Sequence, residues 1–249
     1  MKMKKIVILL SLVIIYSCNS ENASNCLQTA GTIIQKEFTV ANFTKIVAHT
    51  KIELIISQGA TQKVVVETGK NLMPDIQVEV IDNQLILINN NTCNFFRDYG
   101  LTKVYVTSPN LTVIRNASEQ NVSSIGTLTY PDLYLRSSGE KRKFLSIGDF
   151  HLTIKNDNLR IWSNGVANFY LTGTTNNLDI NFSDGDTRFE GKEFKAKAIN
   201  VRQVSSNDML IFPVESLTGS IHSVGNVISF NRPPLVNVDV QNVGQLIFK

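Results

Sequence analysis

From about Leu101 to its end the chain repeats one short pattern. A small turn residue comes first, then an amide or carboxylate, then a three-residue, mostly apolar run. The instances are GDFHL at 148–152, ANFYL at 167–171, GDTRF at 185–189, NDMLI at 207–211, GNVIS at 225–229 and GQLIF at 244–248. Their successive spacings are 19, 18, 22, 18 and 19 residues. A second, alternating run lies between them, as in LYL at 133–135, LRI at 159–161, LDINF at 178–182, INV at 199–201 and VNVDV at 236–240. Runs this short cannot bury a core alone, so each repeat must be covered by the next.

Two strands in a period near 19 suit a parallel β-solenoid, with one coil per repeat and coils about 4.8 Å apart. Glycine at a corner permits positive φ, while Asn and Asp tolerate such corners and bond nearby backbone. Asp149, Asp186 and Asp208 are therefore expected to be corner residues. Phe150, Phe169 and Tyr170 fall on one ladder, either as a core stripe or as exposed contacts. Helical periodicity is nearly absent. Earlier in the chain, further strands are expected at 38–43, 45–47, 51–56, 63–67, 76–81 and 85–88, separated by turn residues, with a polar loop over 89–97. Solenoids leave open end coils, so capping by residues 31–60 or by another copy is expected.

The amino terminus has a different origin. Lys2, Lys4 and Lys5 precede an apolar run from Ile6 to Tyr16 broken only by Ser11. That is the form of a secretory signal peptide, and it is short of the roughly 20 residues a bilayer span needs. The run ends at Ile15, Tyr16, Ser17 and Cys18, which resembles the bacterial lipobox. The resemblance implies cleavage after residue 17, a diacylglycerol thioether on Cys18 and acylation of its new amino group. Stable anchoring needs at least two acyl chains, and this modification supplies three. Residues 18–30 then read as a flexible tether and 31–249 as one β-repeat domain. Asn19 offers no inner-membrane retention signal, so the outer membrane is expected, with either face possible.

Removing residues 1–17 takes Lys2, Lys4 and Lys5 from the 24 basic residues, leaving 21 against 21 acidic ones. A neutral chain lacks the sustained basic face that nucleic acid or an anionic membrane requires. Two further cysteines, Cys26 and Cys93, are able to pair in an oxidising envelope. His49, His151 and His222 lie in separate segments without ligand spacing, so neither a metal nor another cofactor is expected.

The same residues carry a family resemblance. FTKIV at 43–47, IELIISQG at 52–59, VYVTSPNL at 104–111, GSIHSVGN at 219–226, Pro233, Pro234 and the closing GQLIF are similar to the putative auto-transporter adhesin, head GIN-type domain family. The similarity spans roughly residues 38–249. It implies a right-handed parallel β-helix-like body, often borne on a lipoprotein, and brings no catalytic or binding residues. The corners SNGV at 163–166, SDGD at 183–186 and SSND at 205–208 depart from the family's Ser-Gly-Ser-Gly-like repeat.

The expected function is a non-catalytic adhesion, binding or scaffolding module of the cell envelope, with an unidentified protein or glycan as ligand. One alternative is an envelope-stress sensory scaffold. Another is a polysaccharide-active enzyme, since parallel β-helices often host lyases and hydrolases. That chemistry needs converging carboxylates, and Asp184, Asp186, Asp179 and Asp208 are the nearest candidates. Three or more of them meeting in a groove would favour the enzyme. No Gly-x-Ser-x-Gly nucleophile motif occurs.

Overall fold

A computed structural model describes residues 28–91, 98, 100–138 and 146–249. Cys18, Cys26 and Cys93 lie outside these residues, as do the signal peptide and most of the tether. The described chain is all-β, with one 3-10 turn at Met73–Asp75. Its strands are β1 (Ile33–Phe38), β2 (Lys45–His49), β3 (Glu53–Gln58), β4 (Lys63–Gly69), β5 (Ile76–Ile81), β6 (Gln84–Asn89), β7 (Lys103–Ser108), β8 (Val113–Ala117) and β9 (Val122–Leu128). They continue with β10 (Asp132–Ser137), β11 (Phe150–Ser163), β12 (Asn168–Phe182), β13 (Arg188–Gln203), β14 (Met209–Ile221), β15 (Val227–Ser229), β16 (Leu235–Val240) and β17 (Leu246–Phe248).

All 17 strands belong to one sheet, folded over on itself and nearly closed like a barrel. Two ladders form its walls. The first runs β1, β4, β7, β3, β9, then the leading halves of β11 to β14, then β15 and β17. The second runs β5, β6, β2, β8, β10, the trailing halves of β11 to β14, then β16. Pairing is antiparallel where β1, β4 and β5 join and parallel everywhere else.

The sequence suggested two separate short strands per repeat, but in the middle of the chain they fuse into strands of 13 to 16 residues. A change of phase lets each serve both walls. In β11 the buried residues are Phe150, Leu152 and Ile154, then Leu159, Ile161 and Ser163. The alternation slips by one position across Asn156–Asn158, so the chain bends there and keeps its apolar face inward. β11 and β12 hold a constant offset of 19 residues from the Phe150–Phe169 pair to the Ser163–Phe182 pair.

Three expectations need correction. The first strand lies at Ile33–Phe38 rather than 38–43. Phe43 is instead a buried plug, exchanging two hydrogen bonds with the Gln62 side chain at 3.3 and 2.9 Å. Residues 31–60 do not cap as a block, because β2 and β3 sit inside the parallel ladders, beyond β6 and β7. The capping strands are β1, β4 and β5. Third, the sequence pattern placed Thr187 opposite Phe169, yet Phe169 pairs with Phe189 and Asn168 with Arg188. The corner before β13 spans residues 183–187, one more than the corner at 164–167 before β12, and its Gly-Asp pair sits one place earlier in it.

The irregular corners nonetheless stack. Ser183 N–H donates to Ser163 O at 2.9 Å, Asp186 N–H to Gly165 O at 2.8 Å and Ser206 N–H to Gly185 O at 2.9 Å. Gly185 takes φ +83 there, and a Cβ would stand 2.1 Å from Gly165 O.

Candidate functional site

Most outward strand residues alternate with buried ones and meet solvent on flat walls. Several shallow cavities interrupt them, and one of about 540 Å³ lies on the first wall. Its floor is the regular β11–β12 pairing, where His151 lies against Tyr170 and Thr153 against Thr172. The His151 and Tyr170 rings stack with centroids 4.7 Å apart and planes 6° from parallel. The two threonine hydroxyls are hydrogen-bonded at 3.0 Å.

Its sides come from β-bulges on the flanking strands. β9 gains residues between the Ser123–His151 and Thr127–Thr153 pairs, and Ser124 Oγ accepts the Thr153 N–H at 3.0 Å. β13 gains one residue between its pairings with Tyr170 and Gly173, and Lys192 and Glu193 of that bulge join the lining. Bulges re-aim side chains and interrupt a ladder, and that is their effect here. Gly191 permits the turn in β13, since a Cβ there would lie 2.2 Å from the Phe189 ring. Glu190 joins the lining and is held by Arg188 Nε at 2.5 Å.

The aromatics named from sequence separate cleanly. Phe150 and Phe169 are fully buried and stacked at 4.6 Å, whereas Tyr170 is 38 % exposed. The stripe is therefore core on one side of the strand and solvent-facing on the other. Sequence reasoning missed the groove, because its walls depend on which strand lies beside which.

The acidic candidates do not converge. Asp149 Oδ1 accepts the Asn168 backbone and side-chain N–H groups at 2.8 and 3.1 Å. Asp208 Oδ1 does the same for Asn226 at 2.9 and 3.0 Å. Asp186 accepts from the Ser206 hydroxyl at 2.5 Å and Asp179 from the Asn200 amide at 2.7 Å. Asp184 turns back to its neighbour's Gly185 N–H at 2.8 Å. Among the described residues no three His, Cys, Asp or Glu side chains are placed to hold a metal ion. His222 bonds the Ser220 hydroxyl at 2.7 Å, far from the His151 groove in chain terms.

The outer face of the second wall carries cations over rings instead. The Arg160 guanidinium lies 4.8 Å from the Tyr134 ring, and that of Arg136 lies 5.3 Å from Trp162. Among the described residues no helix is long and apolar enough to cross a membrane.

Comparison with solved structures agrees with this architecture. The chain is similar to a putative adhesin from Bacteroides fragilis, at 22 % identity and a TM-score of 0.79, over 89 % of this chain and 99 % of that one. A putative adhesin from Parabacteroides merdae matches at 17 % identity and a TM-score of 0.65, over 88 % and 97 %. A putative lipid binding protein from Parabacteroides distasonis matches at 13 % identity and a TM-score of 0.60, over 87 % and 97 %. No functionally curated protein is significantly similar in sequence. The family model for the putative auto-transporter adhesin, head GIN domain matches residues 42–233, from just before β2 to just before β16, and the chain belongs to that family.

Proposed function

We propose that the chain is an exported envelope lipoprotein whose β body is a non-catalytic adhesion module that binds glycans in the His151–Tyr170 groove. The groove carries this reading. It offers an exposed aromatic ring beside hydroxyls and carboxylates, and sugars present the matching chemistry of apolar C–H faces and hydroxyl edges. Family membership supports the adhesive role, and the separately engaged carboxylates support a body without hydrolytic chemistry.

On this reading the body is a right-handed parallel β-solenoid of two-walled coils. The constant 19-residue offset between β11 and β12 and the phase change within each long strand support it. Right-handed crossover is the rule for parallel strands.

Cleavage after residue 17 and lipid on Cys18 would hold this body at the outer membrane through the 18–30 tether. Cys26 and Cys93 pair in the same proposal. Two flanking contacts support the pairing: Gln28 Nε2 donates to Asn71 O at 3.0 Å and Asn91 Nδ2 to Leu72 O at 3.2 Å. The segments next to both cysteines are thus fixed to one turn.

The test is a glycan array probed with the soluble body, residues 19–249, which omits the lipidated Cys18, beside its Tyr170→Ala variant. Retention of defined glycans by the parent and their loss in the variant is expected. An empty array, or a variant that binds equally well, would sink the groove reading. For the anchor, Cys18→Ser is expected to abolish incorporation of labelled fatty acid. Continued labelling would remove it. Mass spectrometry without reductant checks the disulfide, and two alkylatable thiols would refute it.

A further inference from the structure

The two ends of the folded sheet are finished differently. At the amino-terminal end, β1 and β5 pair on one side, with β4 and β6 respectively. These edges carry Gln35, Lys36, Glu37 and Glu79, and charge along an edge discourages further pairing. At the other end, β16 pairs with β14 and β17 with β15, and among the described residues neither has a second ladder partner. Along β16 the sequence is LVNVDV, with Asp239 its one charge.

The inward columns show what this end lacks. Leu217 and Ile221 of β14 are fully buried, and the residues stacked on them in register are Val236 and Val240. Those two remain 36 % and 47 % exposed because no further strand among the described residues covers them. Leu246 and Phe248 of β17 add half-buried apolar surface at the same end. An open row of backbone donors and acceptors beside uncovered apolar side chains is a template for strand addition.

We infer that a second copy of this chain covers this end, β16 pairing antiparallel with its own counterpart about a two-fold axis through Val238. The strand's own sequence selects that occupant. In antiparallel pairing centred on Val238, Val236 faces the other copy's Val240, so the inward columns close over one another. On the outer side Asn237 faces Asp239, an amide meeting a carboxylate. No like charges are opposed, which gives β16 the self-complementarity an isologous interface needs. A one-residue slip in this register would set inward valines against the outward face.

Sedimentation and light scattering of the unlipidated body, residues 19–249, across a dilution series test the pairing. The parent is expected to reach twice the mass of one chain. Val236→Asp or Val240→Lys alone places an unpaired charge in the seam and is expected to return the monomer. The double variant Val236→Asp/Val240→Lys sets each carboxylate against the other copy's ammonium and is expected to restore the dimer. A parent monomeric throughout the series, or single variants that still dimerise, would overturn the interface. Failure of the double variant to recover would overturn the Val238 axis. Circular dichroism on each variant confirms that the exposed substitutions leave the fold intact.

Discussion

Asp208 accepts both the backbone and side-chain N–H of Asn226, at 2.9 and 3.0 Å, and so fixes the first residue of the next turn of the ladder. The relation recurs. Asp149 holds Asn168 in the same way, and Asn226 passes it on by accepting the Gln245 N–H at 3.0 Å. The column is interrupted at the position in register with Asn168, where Arg188 stands. Its guanidinium donates to Asn207 Oδ1 at 3.1 Å and to Glu190, linking the strands by a longer side chain.

Asp208→Ala removes an acceptor and strands both Asn226 N–H groups at a half-buried corner, a loss of about 1 to 3 kcal/mol. Asp208→Asn keeps an oxygen at the same place, as Asn226 already does for Gln245, and is expected to lose far less. Urea unfolding of the two variants beside the parent checks the ranking.

Glycines separate space from backbone conformation. Gly173 and Gly219 have φ +112 and +126, and an added Cβ would stand 2.0 Å from Ile154 O and 1.9 Å from Val201 O. Those carbonyls belong to the adjacent strands and cannot yield without opening the ladder. Gly126 has φ +74 but open space around it. Gly126→Ala is therefore expected to cost about 1 to 2 kcal/mol from conformation alone. Gly173→Ala and Gly219→Ala are expected to cost well beyond that, read as thermal midpoints.

What the sequence made legible follows from the range of each interaction. Alternating apolar residues and Gly, Asn and Asp corners are local signals, and they give most of the strands, the turns and the roles of Asp149 and Asp208. Register is set between strands. A pattern count therefore placed Asp186 where Arg188 stands, because a residue added to a corner, with the Gly-Asp pair shifted inside it, leaves the local motif intact. The position of β2 and β3 inside the stack has no local signature, since their partners lie about 40 to 70 residues away. The groove is hidden for the same reason. Gly191 and Gly126 mark its bulges, but only the neighbouring strands turn two interruptions into one cavity.

Tyr130 predicts an alkaline limit. Its side chain is buried, its hydroxyl donates to Ser108 O at 3.1 Å, and burial pushes its pKa up from 10.0 to about 12. A raised pKa in the folded state means the fold prefers the neutral phenol. Its contribution is whole below pH 10 and is lost as pH climbs towards 12. Tyr130→Phe gives up the hydrogen bond, about 1 kcal/mol near neutrality. The variant is also expected to lose stability less steeply than the parent above pH 10. Parallel slopes in chemical denaturation across that window would contradict the assignment.

Phe169 and Tyr170 are adjacent in sequence and opposite in consequence. Phe169 is fully buried between Phe150 at 4.6 Å and Phe182 at 5.9 Å, so truncation leaves a cavity where three rings met. Phe169→Ala is expected to cost about 3 to 5 kcal/mol. Tyr170 stands on the outer face, stacked on His151, so Tyr170→Ala removes a surface contact and is expected to cost under about 1.5 kcal/mol. Binding is expected to rank the two the other way. At a temperature where both variants remain folded, Phe169→Ala keeps the groove's floor residues His151, Thr153 and Thr172, while Tyr170→Ala deletes the ring a sugar would rest on. Thermal unfolding and glycan retention measured on the same preparations check the inversion. A Tyr170 variant that loses stability and binding in the same proportion as the Phe169 variant would mean the outer ring is packing rather than contact.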